Sequence, residues 1–300
     1  MNVDTELFRA LARLRLHTPD AARGRQQGER RAKATGSGVE FADHRPYQAG
    51  DDLRRVDWNA WQRQPGQVLL RLFSEDRNMH VVVLVDATGS MGTKADAHTT
   101  KLDYAGTLAA GFALLALANR DFVRVGCYGG AQGAEAATGH DMAAMPGVLK
   151  LLRRTEAGMG CDDPRDILLA LAGGRRSDLA VLVSDMLCAE DEMENTLRAL
   201  ATIGHTPVLL QVVSPDDLSP DLSKPQRMVD AETGLSVHIP GGPEVERAWA
   251  TARDAWLDDL TARCRRLGIR RVLVRTDTPA ATLFREDLRR TGLVVLGTGG

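Results

Sequence analysis

The stretch Val81-Val82-Val83-Leu84-Val85-Asp86-Ala87-Thr88-Gly89-Ser90-Met91 runs apolar and then opens into one acid and two hydroxyls at alternate positions. Such oxygens are hard ligands of the kind Mg²⁺ or Mn²⁺ prefers, and octahedral Mg²⁺ keeps waters and needs only one or two carboxylates. A second run, Leu179-Ala180-Val181-Leu182-Val183-Ser184-Asp185, also ends in an acid. If both runs are parallel strands, Asp86 and Asp185 share the carboxyl edge of one sheet, where ligands of open α/β sheets collect. The blander reading is that Asp86, Thr88 and Ser90 cap the next helix by bonding its free N–H groups. The residues alone leave both readings open.

Competing chemistries fit less well. Ala87 interrupts the D-T-G-S of an aspartic protease, and Thr88 stands where an aspartyl phosphatase commonly carries its second acid. Thr88 also replaces the first glycine of a G-x-S-x-G nucleophile elbow, and no P-loop is present. The seven histidines are scattered; His205 and His238 can be nominated as bases, but nothing in their spacing supports it. Cys127, Cys161, Cys188 and Cys264 include no C-x-x-C, so neither a disulfide framework nor a zinc site is expected. Cys161 and Cys188 read better as idle thiols than as a redox pair.

The elements that must position these residues follow from patterning. Of 300 residues, 43% are hydrophobic and 26% charged, which excludes a disordered chain. Thirty-eight Lys plus Arg against forty Asp plus Glu leave a net charge of −2, so nucleic acid is not an expected partner. Leu108 to Ala118, the most apolar stretch, falls short of the roughly 20 residues of a membrane span. The segment Met1 to Glu6 lacks a basic region and an apolar one, so a cytoplasmic protein is expected.

Leu7, Leu11 and Leu14 predict a short amphipathic helix over residues 4–16, followed by a basic connector from Ala21 to Lys33. Residues 36–75 read as a small, irregular, partly β unit. After His80, apolar strands alternate with helices: strands at 81–85, 122–128, 179–183, 207–213 and 270–274, helices at 102–119, 141–154, 164–172, 190–203, from Pro243 to Gly268, and at 279–290. Trp249 and Trp256 lie on one stripe of the longest helix and are expected as core anchors. Leu293 to Leu296 is expected to complete the sheet. The fold class is therefore α/β, a doubly wound, mostly parallel sheet with helices on both faces. Two domains are expected, 1–75 and 76–300, the second with a hairpin insertion at 214–242.

Three motifs carry a family resemblance. Asp86, Thr88 and Ser90 resemble the D-x-S-x-S of the metal-ion-dependent adhesion site in von Willebrand factor A-type domains, with Thr for the first Ser. Glu40 to Trp58 resembles E-F-x-x-x-R-x-Y-x-x-G-D-D-x-R-x-I/V-D-W, the signature of the bacterial family called domain of unknown function 58. Asp230-Ala231-Glu232-Thr233-Gly234 resembles that family's D-x-E-T-G, so the likeness spans about residues 36–296.

The resemblance implies a von Willebrand factor A-like sheet and a non-enzymatic interaction module that works with a MoxR-type AAA+ ATPase in assembling or maturing a client protein. It implies a Mg²⁺ (or Mn²⁺) site in which Thr88 and Ser90 bind through hydroxyls, with Asp86 and Asp185 direct or through water. Where the family carries a threonine in a Gly-Gly-Thr-Asp-like loop, this chain has Cys161, a soft and poor Mg²⁺ ligand, so Asp162 would substitute. A partner's Asp or Glu would complete the shell, and Asp185→Ala is expected to abolish metal-dependent binding with the fold intact. The alternatives are a metal-dependent hydrolase using Asp86 and a structural adaptor whose metal site stays empty. Read without the family, Arg45, Arg54 and Arg55 among Glu40, Asp51, Asp52 and Asp57 would pin the small unit by ion pairs, with Phe41, Tyr47 and Trp58 as anchors.

Overall fold

Strand and helix alternate along the chain because its apolar residues switch between continuous runs and helical spacing. In the computed structural model, which describes residues 5–18, 39–47, 56–58, 61, 68–75, 78–94, 99–160 and 162–297, that switching gives α1 (Thr5–Leu11), β1 (Leu14–Leu16), β2 (Val39–Pro46), β3 (Leu69–Glu75) and β4 (His80–Asp86). Then come α2 (Lys101–Ala118), β5 (Phe122–Tyr128), β6 (Glu135–Gly139), α3 (Met145–Arg154), α4 (Pro164–Ala172), β7 (Ser177–Ser184), α5 (Glu190–Ile203) and β8 (Gly204–Val213). The chain continues with β9 (Gln226–Val229), β10 (Ser236–Ile239), α6 (Pro243–Arg266), β11 (Arg270–Arg275) and β12 (Val294–Leu296).

The central sheet has the order β11-β8-β7-β4-β5-β6, parallel throughout except for the antiparallel edge strand β6. From β4 the chain steps one way to β5 and later the other way to β7 and β8. The strand order therefore reverses beside β4, which makes the carboxyl ends of β4 and β7 the crevice where such sheets bind ligands.

Alternation in β4 divides the core. Val81, Val83 and Val85 pack on one face with Leu108, Phe112 and Leu115 of α2; Val82 and Leu84 pack on the other with Leu168, Leu197 and Leu260. Helices thus cover both faces. A capping box fixes the start of α2: the Thr100 hydroxyl accepts the Asp103 N–H, while the Asp103 carboxylate accepts the Thr100 N–H. By length and composition α2 could cross a membrane, extending well before the Leu108–Ala118 run, but 78% of it is buried in this fold. Phe112 is fully buried against Phe284, and Phe112→Ala would cost about 3–5 kcal/mol.

Three expectations need correction. The N-terminal segment belongs with the large unit rather than with residues up to 75: Met1–Gly28 and Met79–Gly300 form one unit, and Glu29–Asn78 the other. Leu7, Leu11, Leu14 and Leu16 are buried in the same core as Phe284 and Leu288, and that burial fixes the assignment. The helix also stops at Leu11, because Leu14–Leu16 extends to pair antiparallel with Val294–Leu296. The Leu293–Leu296 run therefore forms a two-stranded sheet with β1 and does not join the central one.

The 214–242 insertion does contain the expected hairpin, β9 antiparallel to β10. In the small unit, β2 and β3 pair antiparallel with an irregularity between Phe41 and Asp43. Trp58, expected as an anchor, is 56% exposed and meets Trp61 edge to face, because Val56 and Asp57 take the buried positions beside it. Arg54, Arg55, Asp51, Asp52, the basic connector and Cys161 lie outside the described residues.

Candidate metal centre

β4 delivers Asp86 to the carboxyl edge, and β7, its parallel neighbour, delivers Ser184 and then Asp185. Asp86 is 4% exposed and Asp185 1%. The Asp86 Oδ1 accepts the Thr88 N–H at 2.9 Å and the Thr88 hydroxyl at 2.7 Å, and its Oδ2 accepts the Ser184 hydroxyl at 2.6 Å. Thr88 Oγ1 lies 3.2 Å from Ser90 Oγ, and the Ser90 hydroxyl donates to Asp185 Oδ1 at 3.3 Å. Asp86, Thr88, Ser90 and Asp185 thus form one hydrogen-bonded chain of oxygens. Neighbouring ligands of an octahedral Mg²⁺ at 2.0–2.1 Å stand about 2.9 Å apart, so spacings of 2.7, 3.2 and 3.3 Å suit such a shell.

The loop is held from several sides. Thr88 bridges to Gly158, whose N–H bonds the Ala87 carbonyl at 2.9 Å. Gly129, at φ +73°, packs against the Thr88 methyl, a place where a Cβ would collide. Met186 follows Asp185 at φ +60° while buried, an uncommon backbone for a side chain, and its N–H bonds the Ser184 hydroxyl. That turn lets the Leu187 N–H reach Asp185 Oδ1 at 3.0 Å. Asp162 stands on the same edge but outside the oxygen chain among the described residues: its Oδ2 accepts the Gly129 N–H at 3.4 Å.

Sequence reasoning missed three participants. Lys101, the first residue of α2, is 1% exposed and donates from Nζ to Asp185 Oδ2 at 2.7 Å and to Asp217 Oδ2 at 3.1 Å. A cation at a helix amino end opposes the helix dipole, so these two carboxylates must hold it there. Burial alone would lower the pKa of the ammonium; the Asp185 and Asp217 charges outweigh it and raise the net value. Ser184 and Asp217 complete the group, Asp217 being fixed by a capping box with Ser214. No local pattern marks Lys101: Lys101-Leu102-Asp103 reads as an ordinary exposed first turn.

Electrostatics separates the two acids. Burial, then the Asp185 charge, pushes Asp86 up from 3.8 to about 6 despite the bonds from Ser184 and Thr88. Asp86 has only neutral donors around it, which leaves negative charge that a divalent cation would balance. Among the described residues no three His, Cys, Asp or Glu side chains cluster as a metal set, so the donors available are two carboxylates and two hydroxyls. That inventory fits Mg²⁺ or Mn²⁺ and not zinc.

Beside Asp185 and Asp217, Trp249 and Trp256 line a cavity of about 260 Å³ with Val213 and Leu218. Both are half-buried: Trp256 packs against the core that holds Leu260 and Cys264, as expected, whereas Trp249 is not among the side chains packed on it. A larger hollow of about 570 Å³ opens at the opposite end of β4 around His80 and Phe122, far along the strands from this chemistry. Cys188, next to the site, is pushed up to about 12, first by burial and then by the charges of Glu192, Asp86 and Asp185.

Residues 43–255 match the family model described as "Protein of unknown function DUF58". The chain is 27% identical over 289 residues to Uncharacterized protein Rv1480 of Mycobacterium tuberculosis and to Uncharacterized protein Mb1516 of Mycobacterium bovis, covering 91% of this chain and 86% of each relative. Among solved structures it is similar to the conserved hypothetical protein BatB of Bacteroides thetaiotaomicron, at 12% identity and TM-score 0.43, covering 72% of this chain and 99% of that one. A second likeness is to an aerotolerance-related membrane protein of Bacteroides fragilis, at 12% identity and TM-score 0.39, covering 71% and 98%.

Proposed function

The chain belongs to the DUF58 family of proteins of unknown function, and on that basis we propose that it is a non-enzymatic interaction module of von Willebrand factor A-like design. Its carboxyl sheet edge would bind Mg²⁺ or Mn²⁺ through Asp86, Thr88, Ser90 and Asp185, with Asp162 further out. The observation that carries this reading is the unbroken oxygen chain from Asp86 through Thr88 and Ser90 to Asp185 at the β4–β7 switch point. The ion, when bound, would supply an open coordination position for a partner's Asp or Glu.

The chain's own residues do the preparatory work. Ser184 and the Thr88 N–H orient Asp86, so that its Oδ1 faces the hydroxyls. Lys101 holds Asp185 by Oδ2 and leaves Oδ1 toward Ser90. The proposed partner is a MoxR-type AAA+ ATPase, acting with this chain on a client protein; its support is the resemblance of the Glu40–Trp58 and Asp230–Gly234 motifs.

A second reading is favoured by Lys101. Because its ammonium already neutralises Asp185, the chain could serve as a structural adaptor with no metal at all. Calorimetric titration of Mg²⁺ and Mn²⁺ into the wild type and Thr88→Ala, with and without the ATPase, separates the two. One ion per chain, at least about tenfold weaker in Thr88→Ala and needed for the partner, supports the adhesion reading. Partner affinity unchanged by chelator supports the adaptor.

A further inference from the structure

The tip of the β9–β10 hairpin lies on the metal loop. Gly89, between the two hydroxyl residues, has the Ala231 carbonyl against its Cα: a Cβ there would collide with that oxygen and would lie 3.6 Å from the Glu232 nitrogen. The Glu232 backbone therefore lies beside Gly89, in the loop that carries Thr88 and Ser90.

The hairpin is built to present this one residue. The Asp230 Oδ1 accepts the Glu232 N–H at 2.9 Å and the Thr233 N–H at 2.7 Å, and the Gly234 N–H closes the turn on the Asp230 carbonyl at 3.0 Å. Glu232 is half-buried, while Ala231 and Thr233 on either side are exposed. Burial, followed by the charges of Asp86 and Asp185, raises its pKa, which places its carboxyl in the same electrostatic field as theirs. By contrast, the strands that carry it are loosely supported. β9 and β10 form their own two-stranded sheet, with Val229, Leu235 and Val237 exposed at 56%, 72% and 66%. A two-stranded ribbon is marginally stable by itself, so moving it costs little.

We infer that Glu232 is an in-chain stand-in for the partner's carboxylate: the hairpin tip lies against the Asp86–Thr88–Ser90 loop, and once an ion is bound the Glu232 side chain would swing in to fill the last coordination position until a partner's acid displaces it. This rests on the metal reading above and adds its regulation. The D-x-E-T-G motif acquires a task in which Asp230 sets the turn, Glu232 supplies the oxygen and Gly234, at φ +70°, lets the chain return.

The test uses the full chain, Mn²⁺ as the probe and water-proton relaxation as the readout, since each open position on Mn²⁺ holds a fast-exchanging water. Glu232→Gln keeps size and removes the anionic ligand. It is expected to weaken Mn²⁺ by about tenfold and to raise the relaxivity of the bound ion by one water. Acetate should then lower that relaxivity in Glu232→Gln and leave the wild type unchanged. Gly89→Ala, which pushes the hairpin tip away, should change relaxivity in the same direction. Equal Mn²⁺ affinity, relaxivity and acetate response in wild type and Glu232→Gln overturn the stand-in while leaving the metal reading intact. Failure of both proteins to bind Mn²⁺ overturns the stand-in and the metal reading together.

Discussion

Two neighbouring strands end in an acid at the same edge, and the protein treats those acids in opposite ways. Asp185, at the end of β7, faces a buried ammonium at 2.7 Å. Asp86, at the end of β4, faces hydroxyls and a backbone N–H, and burial beside Asp185 pushes it up to about 6. One acid is neutralised from within; the other is left with charge to offer. The difference implies a division of labour, with Asp185 as the fixed pillar of the site and Asp86 as the member most responsive to an added cation.

The largest effect should come from breaking the pillar. Lys101→Met leaves Asp185 buried without its cation, and Asp185→Ala leaves Lys101 buried with only Asp217; each is expected to lower stability by about 3–5 kcal/mol in urea unfolding. This revises the expectation that Asp185→Ala spares the fold. The double variant Lys101→Met with Asp185→Leu should recover most of the loss, and a double variant no better than the worse single one would break the comparison.

A smaller effect belongs to Asp86 in chelator. Its folded pKa of about 6 lies above the ordinary 3.8, so folding favours the protonated form. That contribution is fully present below about pH 4 and is lost as pH rises through about 6, a change of up to about 3 kcal/mol. Asp86→Asn should flatten this dependence, and saturating Mn²⁺ should reverse its sign in the wild type. Identical pH profiles for the two proteins without metal would show that Asp86 carries no excess charge.

Thr88→Ala removes one bond to Asp86 and should cost about 1 kcal/mol in thermal unfolding, apart from its effect on the ion. The smallest effect is at Cys188. With its pKa near 12, about one part in 10⁴ is thiolate at pH 8, so iodoacetamide should modify it far more slowly in the native chain than in urea. Fast native alkylation would mean that the negative field of the two acids does not extend that far.

Much of this was legible in local pattern. Val81–Val85 and Leu179–Val183 are continuous apolar runs because both faces of their strands are covered, and their terminal acids fall at one edge because parallel strands point the same way. What escaped depends on partners distant in sequence. Lys101 is buried only because Asp185, 84 residues away, and Asp217 meet it. β6, Glu135–Gly139, carries too few apolar residues to read as a strand, and pairing with β5 alone makes it one. Leu14–Leu16 looked helical because three leucines at that spacing suit a helix until Val294–Leu296 offers a ladder. Glu232 sits in a motif that spacing marks as a turn, and no spacing could place that turn over Gly89.

The pairing of Lys101 with Asp185 also bears on synthesis. A ribosome adding roughly 5–20 residues per second finishes α2 several seconds before the counter-ion of its first residue is made. During that interval the most apolar helix of the chain waits with a charged head it cannot yet hide, so its docking is timed by the arrival of β7.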